Sequence, residues 1–204
     1  MNQLCLFQED PPALPWCGCM LAEKFSPEKV TFPIWCEPKI DGMRALILVD
    51  KAGRGSAWSR AGNRLPAAQV IADHVAGAMG PGVVVDGELD AGTWSMTVSA
   101  VKRRNPAGLV LHAFDALLLD EWTAGGSAVP LLARRGRLRA LSGRPGVVVV
   151  DGVVLEAVLE LERLLEAVLE AGREGLVVKD PAAGYTCRRS WAWMKLKPGR
   201  PECW

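Results

Sequence analysis

Long hydrophobic runs, histidine and net charge are all scarce in this chain of 204 residues. No apolar stretch is long enough to span a bilayer, so a membrane-spanning protein is not expected. A formal net charge of +1 excludes a global field that draws the whole protein to nucleic acid or to a membrane. Any nucleic-acid contact must come from a local basic face. The two histidines, His74 and His112, sit in apolar surroundings without evident partners and read as structural. Cys17-Gly18-Cys19 has no second C-x-x-C pair and no nearby histidine to complete a metal site with Cys5. Met1 to Pro15 is polar and proline-rich and lacks a secretory pattern, so a cytoplasmic setting with reduced thiols is expected.

What is present is the composition of a soluble globular protein: 50% hydrophobic and 23% charged residues, enough for one sizeable domain. Residues 1–20 read as an irregular leader and 199–204 as a tail. Between them, Leu21 to Lys29 is expected to hold a short helix. Strands are expected at 33–38 and 43–50, followed by a hairpin through Lys51–Gly55 into Ser56–Arg60. Pro66 opens a helix to Met79, with Ile71, Val75 and Met79 on one face, and Gly80-Pro81-Gly82 ends it. Val83-Val84-Val85 reads as a buried strand and Leu109 to Leu119 as a longer one. Helices are expected at Pro130–Leu141 and Val153–Ala171, and final strands at Gly175–Lys179 and Trp193–Lys197. Strands and helices mix without strict alternation, which predicts an α+β fold with antiparallel sheets and no repeat.

The chemistry begins at Lys39-Ile40-Asp41-Gly42-Met43-Arg44, after the apolar run Phe32-Pro33-Ile34-Trp35-Cys36. A lysine amine becomes a nucleophile when burial or neighbouring cations favour its neutral form. Asp41 is suited to orienting a bound group, Gly42 to a close turn, and the planar fork of Arg44 to phosphate charge. Five further segments follow: Ser59-Arg60-Ala61-Gly62, Asp86-Gly87-Glu88-Leu89, Phe114-Asp115, Glu174 through Lys179, and Trp193-Met194-Lys195-Leu196-Lys197. Glu88 ends a buried apolar strand, where a carboxylate is costly unless it binds something. Lys195 and Lys197 alternate about Leu196 and face one side of a strand.

This ordered set resembles the nucleotidyltransferase motifs of ATP-dependent DNA ligases, and its Glu174–Pro181, Tyr185 and Trp-x-Lys-x-Lys-Pro ending are similar to the small phage-type enzymes. The resemblance covers about residues 20–198. It implies an ATP-grasp-like adenylation domain at 21–198, with two antiparallel sheets about a nucleotide cleft and helices outside. It implies that Lys39 attacks the α-phosphorus of ATP, forming lysyl-AMP and releasing pyrophosphate. Phe114 is then the ring that stacks on adenine, with Glu37 reading the base edge, and Arg44 and Arg60 contact the ribose and the 5′-phosphate side. Lys179 and Arg189 lie near the adenylate, with Arg188 a rival for the second role. Lys195 and Lys197 stabilise charge on the α-phosphate. Glu88 and Glu174 face Mg²⁺ or Mn²⁺, Glu88 with a ribose contact as its other role.

The implied partner is nicked double-stranded DNA, bound by a monomer, in repair, replication or recombination. The setting is the cytoplasm, the nucleoid or the cytoplasm of a phage-infected host. Lys102-Arg103-Arg104 and the cluster Arg134, Arg135, Arg137 and Arg139 are candidate phosphate contacts, each equally readable as a solvated helix face. Trp191 and Trp193 alternate on one strand face and read as packing. Relatives continue into an OB-fold, for which Pro198 to Trp204 is too short, so no OB-fold domain is expected and transfer of AMP is a safer expectation than full ligation. Two other readings stay open: an RNA ligase or capping-type enzyme, though Ile40 replaces the usual Thr of capping enzymes, and a catalytically silent nucleotide- or DNA-binding module. An NAD-dependent ligase fits less well, because Met43-Arg44 replaces the Leu-Ala of those enzymes.

Overall fold

A computed structural model of the chain describes residues 16–198; most of the expected leader and the expected tail lie outside them, as do Cys5 and Cys203. In chain order the strands are β1 (Leu21–Lys24), β2 (Ile34–Pro38), β3 (Met43–Val49), β4 (Gly55–Ser59), β5 (Val83–Asp90), β6 (Val110–Leu118), β7 (Gly126–Ser127), β8 (Val147–Val149), β9 (Val153–Leu155), β10 (Leu176–Lys179), β11 (Tyr185–Thr186) and β12 (Arg189–Leu196). The helices are α1 (Gln69–Met79), α2 (Trp94–Lys102), α3 (Leu119–Thr123), α4 (Leu131–Gly136) and α5 (Val158–Glu170). Two five-stranded sheets carry the architecture. The first has the order β1-β12-β10-β2-β9 and the second β4-β3-β5-β6-β8, with β11 and β7 forming a separate ribbon.

Side-chain alternation assigns each strand to two packing layers. On β3, Ala45, Ile47 and Val49 enter one core with Ile71 and Val75 of α1 and with Leu138 and Leu141 of the 3₁₀ turn after α4. Leu46 and Leu48 point the other way, into a core shared with Phe114 of β6 and Trp193 of β12. The two sheets therefore face each other across this second core. The far side of the first sheet packs Cys36, Val178 and Met194 against Leu161 of α5. Each fully buried aliphatic side chain contributes roughly 1.5–3 kcal/mol relative to exposure, so the central strands are held from both faces.

One irregularity re-aims a side chain. Asp86 pairs with Asp115 and Gly87 with Ala113, which leaves Phe114 as an extra residue in β6. Before this bulge Leu111 and Ala113 enter the α1-side core, and after it Ala116 does so. Phe114 and Leu117 thus both enter the inter-sheet core, as a β-bulge allows.

The strands at 33–38 and 43–50, the hairpin, the helix after Pro66 and the strand after Pro81 form as expected. Several expectations are overturned. Leu21–Lys29 is a strand plus a 3₁₀ turn at Pro27–Lys29, because Leu21 and Ala22 pair beside Arg189 and Ser190 of β12. Val153–Leu155 is a strand on the edge of the first sheet, paired with β2, and the helix begins only at Val158. The sheets are mixed: β1 runs parallel to β12, and β6 parallel to β8. Residue 94–102 helicity, β7, β8 and β11 have no counterpart in the sequence reading. His74 is not without a partner, since its Nδ1 lies 2.9 Å from the Pro145 carbonyl, and His112 Nε2 lies 3.7 Å from Asp90. No helix among the described residues is long and apolar enough to cross a membrane.

Candidate active site

Register alone brings the first cluster together. Leu176 of β10 pairs with Pro38 on one side and with Leu196 on the other, so the three strands end abreast. The next residues at that end are Lys39, the Glu174-Gly175 corner and Lys197. The Lys39 amide donates to the Gly175 carbonyl at 2.9 Å, which anchors the backbone. Lys39 Nζ donates to Glu174 Oε2 and Lys197 Nζ pairs with Glu174 Oε1, so one carboxylate joins both ammonium groups. Burial would raise the Glu174 carboxyl, but hydrogen bonds from Lys197 and Lys39 outweigh it and hold the group below the usual carboxylate range. Gly42, three residues past Lys39, runs against β5: a Cβ there would stand 2.2 Å from the Leu89 carbonyl and 2.9 Å from Glu88 Cγ.

Glu88 faces this cluster from the second sheet. Burial pushes its carboxyl up to about 8, with Arg44 and Lys39 pulling it down and Asp86 and Asp41 adding to the rise. A carboxyl so desolvated gains from an incoming cation, and this suits a divalent metal shared with phosphate oxygens. Among the described residues no group of three or more His, Cys, Asp or Glu side chains is placed to hold a metal. Glu88 and Glu174 therefore fit Mg²⁺ only as a two-carboxylate site that a nucleotide's phosphates complete.

Deeper in the cleft the charges are fully enclosed. Glu37 and Lys179 are 2% and 1% exposed, and they pair through Glu37 Oε1. Beyond this ion pair the Lys179 ammonium has no hydrogen-bond acceptor among the described residues. Burial lowers its pKa, against the pull of Glu37 and Asp115. Lys179 Nζ lies 4.6 Å from the centre of the Phe114 ring and 4.1 Å from that of Trp193. The Arg44 guanidinium also lies over Phe114, at 4.7 Å. Phe114 is edge-on to Trp193 at 5.9 Å.

Arg44 is placed otherwise than expected. Its Nε and Nη2 donate to the two oxygens of fully buried Asp86 at 2.6 Å each, and Nη2 also reaches the Met20 carbonyl at 3.0 Å. Tyr185 donates to the same Asp86 at 2.5 Å and accepts the Met20 amide at 2.9 Å. The fork expected to hold phosphate is thus mostly committed to the protein. Lys195 lies on the cleft face of β12 beside Val177, whose other neighbour is Glu37. Arg60 and Arg189 are not brought to Lys39: the first is exposed on the turn after β4, and the second donates to the Ala22 carbonyl on edge strand β1 at 2.6 Å.

The arginine cluster on α4 and the 3₁₀ turn that follows it is corrected. Arg134 is fully buried and holds Asp115 through bonds of 3.0 and 2.8 Å. Arg135 binds Glu37, and Arg137 binds Glu121 at 2.8 and 3.1 Å. Only Arg139 of the four remains fully exposed. Lys102, Arg103 and Arg104 do stay exposed at the end of α2. Beside them a cavity of about 480 Å³ is lined by Met96, Ser99, Arg103 and Asn105, with none of the motif side chains. Trp193 is buried as expected, whereas Trp191 is 47% exposed and is met by Lys29 at 5.8 Å. Burial pushes Cys19 up to about 11 and Cys36 and Cys187 up to about 12, so these thiols stay protonated near neutral pH. Arg135 was read from the sequence as a candidate phosphate contact, and Asp86 and Tyr185 only as motif members, so the partners that the fold gives these three were not foreseen. Their only signal is a charge or hydroxyl beside an apolar run, which does not identify a partner.

Residues 19–197 match the family described as ATP dependent DNA ligase domain. A DNA ligase of Haloferax volcanii is 32% identical over 180 residues, covering 79% of this chain and 30% of its own length. A probable DNA ligase of Streptomyces griseus is 34% identical over 191 residues, covering 81% of this chain and 36% of its own. The chain thus spans about a third of the length of these curated relatives. Among solved structures, the ATP-dependent DNA ligase of bacteriophage T7 in complex with ATP superposes with a TM-score of 0.76 at 19% identity, over 89% of this chain and 69% of that one. An archaeal ATP-dependent RNA ligase superposes with a TM-score of 0.64 at 21% identity, over 88% of this chain and 48% of that one. At such identities the superpositions establish the fold.

Proposed function

From the premise that the chain belongs to the ATP-dependent DNA ligase domain family, we propose that it is an adenylating enzyme, in which Lys39 becomes lysyl-AMP and passes AMP to the 5′-phosphate of nicked duplex DNA. The observation that carries this reading is the junction of Lys39, Glu174 and Lys197 at one sheet end, with Glu88 opposite. In the first step the Lys39 nitrogen lone pair forms a bond to the α-phosphorus, the α–β bridging P–O bond breaks, and pyrophosphate leaves with that electron pair. The amine must shed a proton first. Glu174, held below the ordinary carboxylate range, is a weak base, so its part is to aim the amine while the proton passes to water. Approach of the triphosphate gives Lys197 and Lys195 a new anionic partner, and the ammonium groups then oppose the charge growing on the α-phosphate. A divalent cation held by Glu88 and Glu174 would add Lewis-acid stabilisation of that same phosphate.

In the second step a DNA 5′-phosphate oxygen attacks the AMP phosphorus and Lys39 leaves; in the third a 3′-hydroxyl attacks and AMP departs. Phe114 is the proposed adenine platform, and a base stacking there displaces whichever cation covers that face of the ring. We read residues 21–198 as the adenylation domain, acting as a monomer in the cytoplasm. Mass spectrometry after incubation with ATP or GTP and Mg²⁺ tests the proposal. A mass gain of one AMP that is lost in Lys39→Ala is expected, followed by transfer to a nicked duplex. No adduct with ATP, or an adduct only with GTP, overturns it.

A further inference from the structure

Arg135 reaches three elements with one planar group. Its Nη1 donates to Glu37 Oε2 on β2 at 3.1 Å and to the Phe114 carbonyl on β6 at 2.8 Å. Its Nη2 donates to the Val150 carbonyl, just past β8, at 2.5 Å. The guanidinium lies over the Trp35 ring, 4.6 Å from its centre, and the Trp35 indole N–H donates to the same Glu37 oxygen at 3.0 Å. Gly152 closes on that indole so tightly that a Cβ would stand 2.4 Å from it. The side chains of Arg135 and Glu37 are 10% and 3% exposed, so this assembly is largely withdrawn from solvent.

We infer that Arg135 is a positioning residue that sets which purine the cleft accepts, an inference that rests on the reading of Lys39 as adenylated from ATP and of Glu37 as the group that meets the base edge. A carboxylate offers about four lone-pair directions and no donor. Lys179 lies against one oxygen of Glu37, while Arg135 and Trp35 occupy the other. What remains is an acceptor of fixed direction in a desolvated site. An exocyclic amino group, as adenine carries, satisfies it. The keto oxygen of guanine meets it acceptor to acceptor and leaves both unpaired, at a cost of about 1–3 kcal/mol, or roughly ten- to a hundredfold. Arg135 stops the carboxylate from turning away and, through the same Nη1, tethers the backbone that carries Phe114. A lysine does not replace it, because its three donors radiate from one nitrogen, whereas these acceptors are met by two nitrogens held apart in one plane.

Single-turnover adduct formation with ATP and with GTP tests this, alongside ATP and GTP dissociation constants read by tryptophan fluorescence in the Lys39→Ala protein, where no adduct forms. For Arg135→Gln we expect the KM for ATP to rise roughly tenfold, kcat to change far less, and the ATP-over-GTP preference to shrink by about tenfold or more. Arg135→Lys keeps the charge but not the fork and shows the same loss of preference; it is the deciding variant if the glutamine form fails to fold, as judged by circular dichroism. In a double-mutant cycle with Glu37→Gln the losses are not additive, since Arg135 acts through Glu37. A folded variant with unchanged KM and unchanged nucleotide preference overturns the inference, as does full additivity. A wild-type protein that forms no adduct overturns the functional reading instead, and the fluorescence ratio still decides the role of Arg135.

Discussion

Two neighbouring charge clusters on the cleft-facing sheet carry the same kinds of charge under opposite conditions. In the Lys39 cluster, at the end of the sheet, the side chains of Lys39 and Glu174 are 23% and 24% exposed and that of Lys197 is 48% exposed. In the Glu37 cluster, which starts two residues earlier on β2, the side chains of Lys179, Glu37 and Arg135 are 1%, 3% and 10% exposed, and the arginine is further bonded to backbone carbonyls. Half-exposed pairs exchange partners at little cost, because water and salt compensate a lost contact. Sealed pairs do not, because a group left alone keeps its full desolvation penalty. The difference would suit the proposed function, in which one cluster releases a lysine for chemistry while the other holds a base in one orientation.

The largest break in this comparison is expected from the sealed side. Arg134→Leu leaves Asp115 buried without its partner and should cost about 3–5 kcal/mol in urea unfolding, much of it recovered when Asp115→Leu is added. A loss below 1 kcal/mol would show that the sealed pairs are no more binding than the exposed ones.

Glu88 sharpens the comparison through pH. Its carboxyl is raised from 4.5 to about 8, so in that interval it is protonated in the folded chain and ionised in the unfolded chain. Stability from this group is full below pH 4.5, falls as pH rises toward 8 and is flat above, with a slope of at most about 1.4 kcal/mol per pH unit. Glu88→Gln should remove that slope, so its advantage over the wild type grows between pH 5 and pH 8 in urea melts. Parallel pH profiles of the two proteins would refute the assignment.

The smallest stability effect belongs to the exposed cluster. Glu174→Gln should change unfolding free energy by about 0.2–1 kcal/mol, given the partial exposure of its ion pairs. Its lysyl-AMP formation should nevertheless fall on the order of a hundredfold, because the acid proposed to aim Lys39 and to help hold a divalent cation would be gone. A stability loss matching that of Arg134→Leu would erase the distinction between exposed and sealed clusters.

Strands β2, β3, β5 and β10 were legible because their apolar runs are short, β-branched and bounded by turn residues. Edge strands β1 and β9 were not, since four residues of Leu-Ala-Glu-Lys or a Val-Val-Leu step before a helix become strands only through a distant partner. The site shows the same division. Lys39, Glu88, Glu174 and Lys197 were read from motif order, and strand register then placed three of them at one sheet end. Arg134, Arg135 and Arg137 looked like one basic helix face. Each points to a different carboxylate, in Asp115, Glu37 and Glu121, and a run of arginines in sequence carries no information about which acids lie opposite.

The amino-acid sequence by itself determined the local matters: strand segments, Lys39 with its glycine turn, and the order of the motifs, because propensity, periodicity and spacing act between near neighbours. Only the tertiary structure decided which charges are committed to one another. Arg44 closing on Asp86 and Arg135 on Glu37 are long-range pairings. Burial gives such pairings their force, since the cost of an unpartnered charge is imposed only once folding has removed the water around it.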